Sequence, residues 1–307
     1  MALISAVARR QLSVTAANAQ IKNVAIIGGG LMGTGIAQVS AANGYHVHLI
    51  DQTDDLLVKS KADMQKSLER VARKKIPDDK KGAKAFVDDT LSRIHTSTNL
   101  ASSAANADLV IEAIIENLDI KRKLFAELDS ICKPSCILTT NTSSLTLSDI
   151  VTTVKRKDKF GGLHFFNPVP MMKLLEIIRI PETSDVTFKL LEGFGKSVGK
   201  TTVTCNDTPG FIVNRLLVPY MMEALRMAER GDASHRDIDT AMKLGAGYPM
   251  GPFELADYVG LDTTHFIIQG WAEKYPDVQI FKPSETLAKM VKEGKLGRKT
   301  GEGFYKY

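Results

Sequence analysis

The chain has 307 residues, enough for about two domains at roughly 150 residues each. Hydrophobic residues make up 44% and charged residues 24%, a balance that supports a buried core and excludes wholesale disorder. The net charge of +5 is too small to coat a nucleic-acid duplex, and the long apolar stretch Ile212 to Leu225 is broken by Arg215, Pro219 and Glu223, short of the ~20 apolar residues a bilayer crossing needs.

Residues 1–20 carry Arg9 and Arg10 among small and hydroxylated side chains, and the first acidic residue of the chain is Asp51. That pattern predicts a mitochondrial transit peptide and a matrix location. A secretory signal would need a long apolar core after its positive end, whereas Ala2 to Ala8 is short and precedes the arginines. Cys132, Cys136 and Cys205 are too few for a disulfide framework and are read as reduced packing thiols.

From Ile21 onward, short apolar runs alternate with amphipathic stretches. Strands are predicted at Asn23 to Ile27, His46 to Ile50, Leu109 to Ala113, Cys136 to Thr140 and Phe160 to His164, with helices between most of them. This is the pattern of an α/β doubly wound, mainly parallel sheet of Rossmann type. Lys173 to Ile180 follows the short, turn-rich Asn167 to Pro170, so it is predicted to return antiparallel and close the sheet.

After Thr201 to Cys205 the pattern becomes helical. Asp207-Thr208-Pro209 reads as a helix start, and helices are predicted over 209–230, 235–245, 252–274 and 284–293. The resulting division is a transit segment 1–20, a nucleotide-binding domain 21–206 with an insertion at 53–91, and a helical domain 207–307. The 209–230 helix is apolar on nearly every side around Ile212, Leu216, Leu217, Met221 and Leu225, which predicts burial by other helices or by a second subunit.

Gly28, Gly30 and Gly33 form G-x-G-x-x-G between the first strand and a helix, and a second strand ends in Asp51 about twenty residues on. Such a loop lets backbone approach a pyrophosphate at a helix N-terminus. The loop, with Leu31 and Met32 inside it, is assigned to the cofactor. The Asp51 carboxylate can accept ribose hydroxyls and would repel a 2′-phosphate, which favours NAD over NADP.

Further along stand Asn141-Thr142-Ser143-Ser144, His164-Phe165-Phe166-Asn167-Pro168, Asp207 to Arg215 and the final Gly-Glu-Gly-Phe-Tyr block. Together with the glycines they make the chain, from about Lys22 to Tyr307, strongly resemble the short-chain L-3-hydroxyacyl-CoA dehydrogenases of β-oxidation. The resemblance implies NAD-dependent oxidation of (S)-3-hydroxyacyl-CoA, with the C-terminal domain serving substrate binding and homodimer formation. It also implies His164 as general base and Glu176 as the group that orients it. Chemistry agrees: oxidising a secondary alcohol needs a base for the hydroxyl proton, and imidazole suits neutral pH. Glu176 lies in the apolar run Leu174 to Ile178, where an unpaired carboxylate would be costly.

By the same resemblance Ser143 and Asn214 touch substrate, Ser143, Asn167, Glu116 and Lys121 contact the cofactor, and Ser67 and Lys74 hold phosphates of coenzyme A. Lys59 to Lys84 carries ten basic and four acidic residues, while Leu57, Met64, Leu68 and Val71 share one helical face. The cationic side then faces either solvent or coenzyme A. No ligand spacing among the histidines points to a metal. Two alternatives stay open at this level: a sibling acting on a free hydroxy acid or sugar acid, and a catalytically silent NAD-binding relative.

Overall fold

The computed structural model describes residues 21–307, so the predicted transit segment lies outside the described residues. They form two units, one ending at Phe211 and one running from Ile212 to Tyr307. No helix among the described residues is long and apolar enough to cross a membrane.

The first unit is an eight-stranded sheet with helices. Its strands are β1 (Asn23–Ile27), β2 (His46–Ile50), β3 (Ile94–Ser97), β4 (Leu109–Glu112), β5 (Ile137–Thr140), β6 (Phe160–Phe165), β7 (Leu174–Arg179) and β8 (Thr201–Asn206), in the order β3-β2-β1-β4-β5-β6-β7-β8. Strands β1 to β6 are parallel, β7 runs antiparallel to β6, and β8 runs parallel to β7. The central strands are buried along almost their whole length because both faces are covered, as parallel sheets require, and the polar side chains they carry near their carboxyl ends, Glu112, Thr139 and Thr140, are hydrogen-bonded. The strand order reverses between β1 and β4, which opens a crevice at their carboxyl ends.

Helix α1 (Leu31–Ala42) follows β1 directly. The insertion forms α2 (Asp54–Lys75) and α3 (Lys80–Ser92). Thr53 caps α2, and Leu57, Met64, Leu68 and Ala72 bury its inner face, with Val71 only half-buried at the margin. The remaining helices of this unit are α4 (Leu100–Ala104), α5 (Leu118–Ile131), α6 (Leu147–Ile150) and α7 (Asp185–Ser197). Cys132 and Cys136 are buried free thiols and Cys205 is half-buried.

In the second unit, α8 (Val213–Glu229), α9 (His235–Gly245), α10 (Pro252–Val259), α11 (Leu261–Lys274) and α12 (Glu285–Lys292) enclose a core around Met221, Leu225, Phe253, Leu261, Ile268 and Trp271. The C-terminal glycine-aromatic block is pinned here. Asp257 accepts hydrogen bonds from the Phe304 and Tyr305 N–H groups and the Tyr307 hydroxyl, and a Cβ at Gly303 would collide with that carboxylate.

Four expectations are corrected. The helix predicted from 209 begins at Val213, because Gly210 and Phe211 take left-handed φ of 77° and 55°. Asp207 caps a different helix, α6, by accepting from the Leu147 and Ser148 N–H groups, each at 2.8 Å. The 252–274 helix is two helices, broken at Gly260 with φ of 103°. Strand β7 does not close the sheet, since β8 pairs outside it, and β3 is an edge strand the pattern did not reveal. Leu216 of α8 is 67% exposed, so this chain alone does not cover every apolar side chain of the helix.

Candidate active site

The glycine loop sits where β1 meets α1. Gly28 has φ of 105°, and a Cβ there would come within 2.5 Å of the Ala113 carbonyl oxygen. A Cβ at Gly33 would collide with the Gly28 carbonyl oxygen, so this glycine lets helix and loop pack. Gly30 differs, because a Cβ there would meet nothing within 4 Å. Its backbone borders open space at the start of α1, where a pyrophosphate can reach the helix N–H groups. Asp51, just past β2, accepts from Gly29 N–H at 2.6 Å through Oδ2 and from Gln52 N–H at 2.6 Å through Oδ1. A carboxylate has about four acceptor positions, so each oxygen keeps capacity for a ribose hydroxyl. These groups fit the NAD that the sequence predicts.

At the same edge of the sheet, His164 in β6 and Glu176 in β7 occupy opposed register positions. His164 Nδ1 lies 2.7 Å from Glu176 Oε2, with His164 4% and Glu176 0% exposed. The His164 ring packs against Phe166 and Phe211 at centroid distances of 4.5 and 5.5 Å. Nδ1 is thereby committed to the carboxylate, which leaves Nε2 as the nitrogen for a substrate proton.

Beside them lies a network of two carboxylates that the sequence reading did not single out as a unit. Glu112 ends β4 fully buried, its Oε1 taking Lys121 Nζ at 2.5 Å and Ile114 N–H at 2.8 Å, its Oε2 taking the Thr140 hydroxyl at 2.6 Å. Burial raises the Glu112 carboxyl above its usual range, and Lys121 and the Thr140 and Ile114 donors pull it back. Lys121 is 1% exposed and also lies 3.3 Å from Glu116 Oε2. Glu116 in turn accepts from the Thr142 hydroxyl at 2.9 Å and from the Ser143 N–H at 2.7 Å. Asn141 ties the same loop to His164's strand by accepting Phe165 N–H at 2.8 Å.

A groove of about 680 Å³ runs beside this edge between α1, α2 and the loop Asn167 to Met171. Ser67 and Lys74 line it together with Asp63, Arg70 and Arg73, opposite Leu31, Thr34 and Gln38. The loop is held from behind by Lys200, whose ammonium donates to the Val169 and Met172 carbonyls at 2.5 and 2.7 Å and whose pKa is lowered by burial. Gly35 lets α1 approach the loop, since a Cβ there would lie 2.8 Å from Val169 Cβ.

The first unit therefore brings His164 to Glu176, Ser143 to Glu116 and Lys121, Asp51 to the glycine loop, and Ser67, Lys74 and Asn167 into one groove. Asn214 is the second residue of α8, in the second unit. Residues missed from the sequence include Glu112, Thr140 and Phe211. Glu112 had a readable signal, a carboxylate ending an otherwise apolar strand. Among the described residues no group of three or more His, Cys, Asp or Glu side chains is arranged to hold a metal ion.

Comparison with known proteins decides the family. The 3-hydroxyacyl-CoA dehydrogenase NAD-binding domain matches residues 23–208, and the C-terminal domain of the same family matches residues 210–307. The chain belongs to the 3-hydroxyacyl-CoA dehydrogenase family. Hydroxyacyl-coenzyme A dehydrogenase, mitochondrial, of Rattus norvegicus is 59% identical over 287 residues, covering 94% of this chain and 91% of the rat protein. The Homo sapiens protein of the same name is 58% identical over 295 residues, covering 96% and 94%. The crystal structure of (S)-3-hydroxybutyryl-CoA dehydrogenase PaaH1 from Ralstonia eutropha matches with a TM-score of 0.87 at 40% identity, covering 94% of this chain and 99% of that one. As a member of this family the chain is an NAD-dependent oxidoreductase of hydroxyacyl-CoA.

Proposed function

We propose that the chain oxidises (S)-3-hydroxyacyl-CoA to 3-oxoacyl-CoA in fatty-acid β-oxidation with His164 and Glu176 as its acid-base pair. NAD held at the glycine loop would supply the acceptor for the hydride of the hydroxyl-bearing carbon. His164 Nε2 takes the hydroxyl proton, and Glu176 fixes the imidazole tautomer and stabilises the imidazolium that forms. Ser143 and Asn214 donate hydrogen bonds to the substrate oxygen. Gly28, Gly30, Leu31, Met32, Gly33 and Asp51 would hold the dinucleotide, with further contacts from Ser143, Asn167, Glu116 and Lys121. Ser67 and Lys74 take phosphates of coenzyme A.

The observation that carries this reading is the buried 2.7 Å contact between His164 and Glu176 on the sheet edge that also bears the glycine loop. Steady-state rates with NADH and 3-oxoacyl-CoA substrates of graded length, against acetoacetate as the free acid, test it. Turnover confined to the thioesters is expected. NADH binding without turnover of any thioester would overturn the reading.

The matrix address on residues 1–20 and a homodimer through the C-terminal domain belong to the same proposal. The dimer is supported by the exposed Leu216 and Phe266 of that domain, 67% and 56% accessible. Sedimentation at micromolar concentration should give twice the chain mass, and a strict monomer would sink the dimer while leaving the chemistry untouched.

A further inference from the structure

Gln38 is the most deeply buried polar side chain on the wall of the groove, 3% exposed, and its carboxamide makes no hydrogen bond among the described residues. Its neighbours on the wall are engaged. The Thr34 hydroxyl donates to the Gly29 carbonyl at 2.9 Å, and the Lys200 ammonium behind the loop is taken up by two carbonyls. The amide is not among the sealed, unpartnered polar atoms of the described residues, so the small accessible part of this side chain includes its nitrogen and oxygen, which open onto the groove with their hydrogen-bonding capacity free for a ligand. The amide is neutral, with two donors and one acceptor, and so matches a secondary amide, which offers one carbonyl and one N–H. Apolar Val71, Val169 and Met171 line the same groove, as do the cations Arg70, Arg73 and Lys74. The wall therefore combines phosphate-binding charge, an amide partner and apolar surface.

We propose that Gln38 binds an amide of the substrate's pantetheine arm and so selects thioesters carrying that arm; this rests on the reading that the groove takes coenzyme A. A site built to hydrogen-bond a substrate group disfavours analogues that lack it, because its own polar atoms are then left unpaired.

The test uses Gln38→Leu with acetoacetyl-CoA, S-acetoacetylpantetheine and methyl acetoacetate. The expected result is a KM raised about tenfold, the scale of one well-made hydrogen bond, and equally for the two pantetheine substrates. The turnover number, the NADH dissociation constant and the rate on methyl acetoacetate should stay within about twofold, since a single remote binding contact is removed. An unchanged KM for S-acetoacetylpantetheine overturns the proposal. So does a rise confined to the coenzyme A ester, which would put Gln38 at the nucleotide. Failure of the underlying reading looks different, because wild type itself would then show no preference for the coenzyme A ester over methyl acetoacetate. A second measurement needs no variant: S-acetoacetyl pantetheine analogues in which each amide N–H in turn is replaced by an ester oxygen. One of the two should raise the wild-type KM, and no effect from either overturns the proposal.

Discussion

His164 Nδ1 and Glu176 Oε2 meet at 2.7 Å across the antiparallel β6–β7 pair, each residue directly opposite the other in register. The contact joins a base to a carboxylate in a place with almost no water, so the carboxylate's charge acts on the imidazole with little screening. His164→Gln should lower turnover by about 10²- to 10⁴-fold, the usual worth of a general base, and leave NADH affinity within a few fold. Glu176→Gln keeps the shape and an acceptor for Nδ1–H but removes the charge that favours the imidazolium, so turnover should fall while KM and NADH affinity hold. Steady-state kinetics with fluorescence titration of NADH checks both. Activity within tenfold of wild type in His164→Gln would show that another group takes the proton.

Asp51 performs two jobs that one substitution can separate. Its oxygens hold the Gly29 and Gln52 N–H groups, and its charge faces the position of a ribose 2′-substituent in our reading. Asp51→Asn keeps a carbonyl acceptor for one N–H group and drops the charge, so it should relax discrimination against NADP while weakening NAD less than Asp51→Ala does. Acyl-CoA affinity should be unaffected by either. Unchanged NAD-to-NADP preference in both variants would remove Asp51 from the ribose.

Much of this site was legible because its residues obey short-range rules. The glycine spacing and Asp51 follow from the geometry of one strand-turn-helix-strand unit. Glu176 was legible because a carboxylate inside Leu174 to Ile178 demands a partner and the Asn167 to Pro170 turn folds it back toward His164. Glu112 follows the same logic, but in the sequence a carboxylate at a strand end reads equally well as a solvent-facing one, and its partners Lys121 and Thr140 are assigned only by three-dimensional register. Asp207 misled for the opposite reason. It looks like a local helix cap, and it is a cap, but of a helix sixty residues earlier. The short edge strand β3, with His95 and Thr96 among its four residues, lacks the apolar run that marks the others. The break at Gly260 was hidden because one glycine inside an apolar periodicity reads as a tolerated helical residue until its positive φ is seen.

The Glu112 and Lys121 pair yields a stability prediction with a definite pH sign. Removing one member of a buried pair strands the other, a cost of about 3–5 kcal/mol where the remaining charge cannot be neutralised. In Lys121→Met the stranded group is a carboxyl already raised by burial and now without its main counter-charge, so its folded pKa rises further. A folded pKa above the unfolded one means that the folded state holds the proton more tightly. The variant should therefore be most stable at acidic pH and lose stability as pH rises from the ordinary carboxylate range through the raised value. Glu112→Gln combined with Lys121→Met should recover part of the loss and flatten the pH dependence. Thermal melts from pH 4 to pH 9 check this, and a Lys121→Met curve parallel to wild type would mean that Glu112 finds another partner or water.

Lys74 is exposed on the rim of the groove with Arg70 and Arg73, so its attraction for coenzyme A phosphates has to compete with salt. At 0.15 M the Debye length is about 8 Å, short enough to weaken contacts at the rim but not those between buried groups such as His164 and Glu176. Raising salt should therefore increase the wild-type KM for acetoacetyl-CoA and leave turnover nearly constant. Lys74→Glu should raise that KM several fold at low salt and reduce its salt dependence, because one attractive charge has become repulsive. The rate on S-acetoacetylpantetheine, which lacks the nucleotide, should be nearly the same in variant and wild type. A comparable loss on both substrates would trace the effect to folding of α2, and no loss on either would leave Lys74 as an ordinary solvated cation on its outer face.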